Sequence, residues 1–126
     1  MADRRALVST LLGYCLVAAV LVGALTLFEP VSVSGGSMMP ALSPGDLAIV
    51  RRGAIARRDD IALVKQGGSG PFLHRVVALE AGGMLRTQGD ANPIVDFKPV
   101  SPDDVAGRVV AVIPVGASIA RWRAPR

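Results

Sequence analysis

A long uncharged apolar run near the N-terminus constrains this chain more than any other feature. No charged residue occurs from Ala6 to Phe28, where Leu, Val and Ala dominate. As a helix this run would be about 34 Å long, enough to cross the roughly 30 Å hydrocarbon core of a bilayer. A cleavable signal peptide usually has a shorter apolar core of about 7–15 residues, followed by a small-x-small site. We therefore expect an uncleaved transmembrane anchor, with a removed signal peptide or a buried core helix as the alternatives.

Flanking charge predicts the orientation of that anchor in the cell membrane. Arg4 and Arg5 precede the run, whereas only Glu29 follows it closely. Positive residues near a spanning helix favour the cytoplasmic side. We expect a single-pass protein with three segments: a cytoplasmic head over residues 1–5, an anchor over 6–28 and an extracytoplasmic domain over 29–126.

The outer segment is patterned as short strands separated by turn residues. Pro30 cannot continue a helix and should begin extended structure. Apolar runs between Gly, Pro and Asp residues predict strands at Val31–Ser34, Leu47–Val50, Ile61–Lys65, Phe72–Glu80, Met84–Gln88 and Val109–Ile113. Ala81–Gly83 predicts a hairpin, and Ser101–Ala106 a capped helical turn. The expected fold is mainly β, a small curled sheet or partial barrel behind one N-terminal transmembrane helix.

Composition excludes several classes of site. The one cysteine, Cys15, leaves no intrachain disulfide or cysteine-based metal centre, and the one histidine leaves no multi-histidine centre. The net charge of +4 comes from scattered arginines, and aromatic residues make up only 4% of the chain. Nucleic-acid binding is therefore not expected. Anionic lipid headgroups or simple solvation account for the basic residues.

Ser37 is the candidate nucleophile. Gly35 and Gly36 precede it and would let a substrate backbone approach closely, and Met38 places an apolar surface beside the hydroxyl. A hydroxyl becomes a good nucleophile only when a neighbouring base removes its proton. A loop serine that makes a local turn hydrogen bond is the alternative.

His74 is the only histidine that could act as that base. Asp90 and Asp96 are the candidates to orient its imidazole and to stabilise the imidazolium. Either carboxylate could instead belong to a turn, and His74 could be a structural residue on a half-buried strand.

Three motifs follow one another along the chain. Gly35–Asp46 reads G-G-S-M-M-P-A-L-S-P-G-D, His74–Val77 reads H-R-V-V, and Gly89–Asn92 reads G-D-A-N, with Asp96 following. In this order they resemble the motifs of type I signal peptidases. That family has a serine motif G-x-S-M-x-P-x-L-x-x-G-D and a general base before R-V-V. Asp60–Val64 looks like a structural strand of the family, with Asp59 in place of a glycine. The resemblance extends over roughly residues 31–113.

The resemblance implies a role for each matched residue. Ser37 resembles the nucleophile, and His74 resembles the general base of the histidine-type enzymes found in the endoplasmic reticulum, archaea and some bacteria. Asp96 resembles the third member, and Asp90 supports the architecture of the site. The implied enzyme is a serine endopeptidase that cleaves signal peptides of exported preproteins and needs no metal or cofactor.

The substrate is expected to dock as an added strand. Shallow apolar pockets lined by residues such as Val33, Met38 and Leu42 would select small side chains before the cut. Two functions remain as alternatives: a specialised or self-cleaving processing protease of the same fold, and a non-catalytic membrane-anchored binding subunit.

Two positions depart from the family's pattern. Gly35 stands where some relatives have a serine that helps to stabilise the oxyanion, which leaves that task to backbone N–H groups. Gln88 stands where relatives often have lysine. The basic C-terminal segment Ile119–Arg126 is expected to be a frayed tail or an interfacial segment.

Overall fold

The computed structural model describes residues 3–68, 70–116 and 118. It contains helix α1 and six strands: α1 Arg4–Leu27, β1 Phe28–Ser32, β2 Leu47–Arg52, β3 Ile61–Val64, β4 Phe72–Leu79, β5 Leu85–Gln88 and β6 Val105–Ile113. Two short 3₁₀ turns lie at Ala81–Gly83 and Pro102–Asp104. The predicted tail Ile119–Arg126 lies outside the described residues.

Helix α1 follows from the apolar run. Asp3 caps it, because its side chain accepts a hydrogen bond from the Arg5 N–H at 3.1 Å. None of its residues is buried against the rest of the protein. Within the described residues it is the one helix long and apolar enough to cross a membrane. Strand β1 begins at the residue after the helix, and the Phe28 N–H still donates to Ala24 O.

The strands form one antiparallel sheet in the order β1-β2-β6-β3-β4-β5. Over the described residues this sheet is not closed into a barrel, and β1 and β5 are its edges. The predicted mainly β fold behind one apolar N-terminal helix is confirmed. The predicted β4–β5 hairpin is also confirmed, and both of its glycines, Gly82 and Gly83, have positive φ angles of 75° and 77°.

Two strands begin earlier than the sequence predicted. Strand β1 starts at Phe28, because Pro30 lies on an edge strand, where a missing N–H costs no ladder bond. Strand β6 starts at Val105, because Val105–Arg108 pair with β3, a partner far away in the sequence. The helical turn before β6 therefore ends at Asp104, although Ser101 caps it as predicted.

The core lies on both faces of the sheet, and β3 supplies both. Leu63 belongs to one buried cluster, whereas Ala62 and Val64 belong to the other, as the alternation of side chains along a strand requires. The first cluster consists of Val33, Met38, Leu42, Ala48, Val50, Leu63 and Leu73. The second consists of Ala56, Ala62, Val64, Val76, Leu85 and Val100. The first cluster holds the segment that carries Ser37.

Candidate active site

Ser37 lies in a turn between β1 and β2 that is fixed by its apolar neighbours. Met38 and Leu42 are 2% and 0% exposed. The Leu42 N–H donates to Met38 O at 2.9 Å, and the Met39 N–H donates to Gly36 O at 3.1 Å. Burial of Met38 and Leu42 in the core thus positions Ser37, which stays partly exposed.

His74 reaches Ser37 from strand β4. Its Nε2 atom lies 3.2 Å from Ser37 Oγ. Cross-strand pairing with Ala62 sets its register on β4. The Phe72 ring packs edge-on against the imidazole, with centroids 5.1 Å apart. Only 14% of the His74 side chain is exposed, so its orientation is constrained by packing.

Asp96 lies on the other side of the imidazole. Its Oδ2 atom is 2.5 Å from His74 Nδ1. With the proton on Nδ1 donated to this carboxylate, Nε2 is free to accept the hydroxyl proton of Ser37. The structure therefore brings together all three residues that the sequence suggested, in one hydrogen-bonded line. Of the two aspartates left open, Asp96 is the one beside the imidazole.

Asp90 is engaged elsewhere, with Arg75 of strand β4. Arg75 donates from Nε to Oδ1 at 2.7 Å and from Nη2 to Oδ2 at 2.6 Å, a bidentate pair. The side-chain hydrogen bond to Asp90 is the largest of the causes that raise the pKa of Arg75. Burial is the next largest cause and lowers the pKa, and the charges of Asp90 and Asp59 raise it further. Asp90 thus ties the turn at residues 89–92 to the residue that follows His74.

Arg75 also stabilises an unusual backbone position. Its Nη1 donates to the Asp59 carbonyl at 2.7 Å. Asp59 has a φ of 74°, in the left-handed region that favours glycine. The strand motif that Asp60–Val64 resembles has a glycine at this position. Asp59 can occupy this position because its neighbours hold the backbone there.

The turn at residues 89–92 packs directly on the backbone of Ser37. The Ala91 N–H donates to Ser37 O at 2.8 Å. A Cβ atom on Gly89 would lie 2.6 Å from the same oxygen, so only glycine permits this approach. Gln88 helps to close the turn, since its side-chain amide donates to Asn92 O at 2.8 Å.

Two residues of β5 that the sequence analysis did not single out hold the Asp96 loop. Thr87 is fully buried, and its hydroxyl donates to Asp96 Oδ2 at 2.7 Å. Arg86 donates to Asp96 O at 3.2 Å and to Phe97 O at 2.9 Å, and it pairs with Glu80. The alternation of L-R-T-Q predicts a buried Thr87, and a buried hydroxyl needs a partner. That signal identifies the residue but not the partner.

A cavity of about 240 Å³ adjoins Ser37. Its lining comprises Val31–Gly35, Ser37, Met38, Leu63 and Pro71–Leu73. Val33 and Met38, two of the residues expected from the sequence to bind substrate, belong to this lining. Leu42 does not: it is fully buried in the first core cluster, together with the lining residues Val33 and Met38. Gly35 faces the cavity, whereas Gly36 is absent from its lining.

Metal-binding chemistry has no candidate residues in the part of the chain that the structure describes. No group of three or more His, Cys, Asp or Glu side chains lies together there. The hydrogen bonds that join Ser37, His74 and Asp96 form an arrangement suited to transferring a proton from a hydroxyl to an imidazole.

Comparison with protein families matches much of the chain to a described family. A family model described as signal peptidase, peptidase S26, matches residues 4–92. This range includes α1, the Ser37 turn, β4 with His74 and the G-D-A-N turn, and it ends before Asp96. A search of curated proteins found no match.

Proposed function

Because the chain belongs to the signal peptidase family, peptidase S26, we propose that it is a membrane-anchored serine endopeptidase of the histidine type. It removes signal peptides from exported preproteins by a Ser-His-Asp mechanism. The observation that carries this proposal is the hydrogen-bonded line from Ser37 Oγ through His74 to Asp96. We assign Ser37 as the nucleophile, His74 as the general base and Asp96 as the residue that orients it.

The reaction proceeds in two steps. His74 Nε2 takes the Ser37 hydroxyl proton as the oxygen attacks the scissile carbonyl, and the imidazolium gives that proton to the leaving amine. The acyl-enzyme that results is hydrolysed by a water from which His74 takes a proton. Asp96 stabilises the imidazolium in both steps.

The oxyanion is stabilised by backbone. None of the described residues accepts a hydrogen bond from the Ser37 N–H, so this donor is available to the developing charge. Gly35 supplies no hydroxyl. A single oxyanion donor is worth about 10²–10³ in rate, so the proposed enzyme depends strongly on how Ser37's backbone is held.

The substrate enters as an extended strand beside β1. Among the described strands, β1 pairs only with β2, and its outer edge carries backbone groups that an added strand can satisfy. The adjoining cavity is small and contains Val33 and Met38. This supports a preference for small side chains before the cut.

Helix α1 anchors the enzyme, with residues 1–5 cytoplasmic, 6–28 in the bilayer and 29–126 outside. Its length, its apolar surface and the lack of buried residues along it support this arrangement. After alkaline extraction of membranes the full-length chain should remain in the pellet. Release into the supernatant would contradict the anchor without bearing on the chemistry.

The test of the activity uses the full-length chain in detergent with a preprotein that carries a signal peptide. We expect Ser37→Ala and His74→Ala to abolish cleavage, and Asp96→Asn to reduce it about 10⁴-fold. Asp103→Asn is the matched control, since this exposed carboxylate lies away from the site, and it should cleave normally. Because the imidazole must be neutral to accept a proton, cleavage should fall on acidification.

The outcomes separate the alternatives. Cleavage that persists in His74→Ala would rule out the proposed mechanism. No cleavage by the wild-type chain of any preprotein would indicate a binding subunit. Cleavage restricted to one class of preprotein would indicate a dedicated processing protease.

A further inference from the structure

Strand β5 places a buried hydroxyl on the carboxylate that orients the imidazole. Thr87 Oγ1 donates to Asp96 Oδ2 at 2.7 Å, the same oxygen that lies 2.5 Å from His74 Nδ1. In return the Asp96 N–H donates to Thr87 O at 2.8 Å. Asp96 is therefore attached to Thr87 through both its backbone and its side chain.

We propose that Thr87 is a positioning residue for proton transfer in the Ser-His-Asp mechanism, on which this inference rests. Its hydroxyl holds the Asp96 carboxylate so that Oδ2 faces His74 Nδ1.

Packing alone does not explain a threonine at this position. Thr87 is 0% exposed and lies across from the equally buried Val76. Valine has nearly the same shape and would avoid burying a hydroxyl, which is costly without a hydrogen-bond partner. The Thr87 hydroxyl donates its one proton to a carboxylate, and hydrogen bonds to charged groups are stronger than those between neutral groups.

The neighbouring charges are paired with one another. On β5, Arg86 binds Glu80 and reaches Asp96 only through the backbone carbonyl. On β4, Arg75 binds Asp90. Among the described residues, Thr87 and His74 are thus the side chains that contact the Asp96 carboxylate directly.

Removing the hydroxyl lets the Asp96 carboxylate rotate away from His74 Nδ1, so the imidazole is oriented less well and kcat falls. KM should not change, because Thr87 does not line the substrate cavity.

The experiment compares Thr87→Val, Thr87→Ala and Thr87→Ser in the full-length chain, using preprotein cleavage and thermal melting. We expect kcat to fall about tenfold in the Val and Ala variants with unchanged KM. Thr87→Ser keeps the hydroxyl and should restore kcat. If Thr87→Val does not fold, the Ala and Ser pair gives the same comparison.

Two results would overturn the inference. One is wild-type kcat in Thr87→Val or Thr87→Ala. The other is a Ser variant as impaired as the Ala variant, which would assign the effect to packing. Asp96→Asn, measured alongside, separates the two proposals: if it cleaves normally, the mechanism itself fails, whereas if it is impaired and Thr87→Ala is not, only the role of Thr87 fails.

Discussion

Gly89 provides the sharpest test of how the backbone of Ser37 is positioned. A Cβ atom at this position would lie 2.6 Å from Ser37 O and 2.7 Å from Asn92 Nδ2. To reach an ordinary contact of about 3.4 Å, the two backbone segments must separate by roughly 0.8 Å. Gly89→Ala should therefore push the Ser37 turn away from the turn at residues 89–92.

The magnitude follows from the distances at the site. Ser37 Oγ already lies 3.2 Å from His74 Nε2, at the long end of the range for proton transfer, about 2.6–3.2 Å. A further displacement approaching 1 Å typically costs about 10² in rate. We expect kcat of Gly89→Ala to fall about 100-fold, with a loss of about 1–3 kcal/mol in the free energy of unfolding.

The assay is steady-state cleavage of a preprotein by the full-length chain, with thermal melting measured on the same samples. Gly67→Ala is the matched control, because its new Cβ would meet nothing within 4 Å, and it should behave as wild type. A Gly89→Ala variant that melts normally and keeps kcat within about twofold would refute the reasoning, since the contact with Ser37 O would then be inconsequential.

Three further predictions concern the supports around the site. A Cβ on Gly35 would meet nothing within 4 Å, so Gly35→Ser should fold normally and raise kcat about tenfold or more by adding an oxyanion donor, whereas Gly35→Ala should not. Asp90 raises the pKa of Arg75, so the stabilisation from their pair is present below arginine's ordinary value and is lost only as pH rises through the raised one. Melting of Arg75→Gln should accordingly show a loss of about 1 kcal/mol that is constant across roughly pH 6–9. A Cβ on Gly116 would lie 2.1 Å from Pro44 O, so Gly116→Ala should lower the melting temperature by about 5–15 °C, and an unchanged melting curve would contradict that contact.

The parts of the fold and site that were predictable from sequence depend on local patterns. The apolar run, the strand alternation and the hairpin glycines each act over a few residues, and they gave the helix, the mainly β sheet and the β4–β5 hairpin. The single histidine limited the candidate bases to one. The family match supports the resemblance drawn from the three motifs.

The features that could not be predicted depend on contacts between residues that are far apart in the sequence. Asp96 rather than Asp90 lies beside the imidazole because the Asp96 N–H donates to Thr87 O and because Asp90 pairs with Arg75. Neither contact leaves a pattern in the sequence. Leu42 shows the same limit. An apolar residue close to Ser37 in the sequence can either line a cavity or lie in the core, and only its burial in the folded protein distinguishes the two.

The direct junction between α1 and β1 has a mechanical consequence. Leu27 ends the helix, and Phe28 begins a strand that is paired with β2 from its first residue. No linker residue therefore separates the helix from the strand. Each residue inserted into the helix turns everything beyond it by about 100° and advances it by about 1.5 Å. The length of α1 therefore sets the direction in which the cavity beside Ser37 faces relative to the start of the helix. One added residue would rotate that direction by about a quarter-turn.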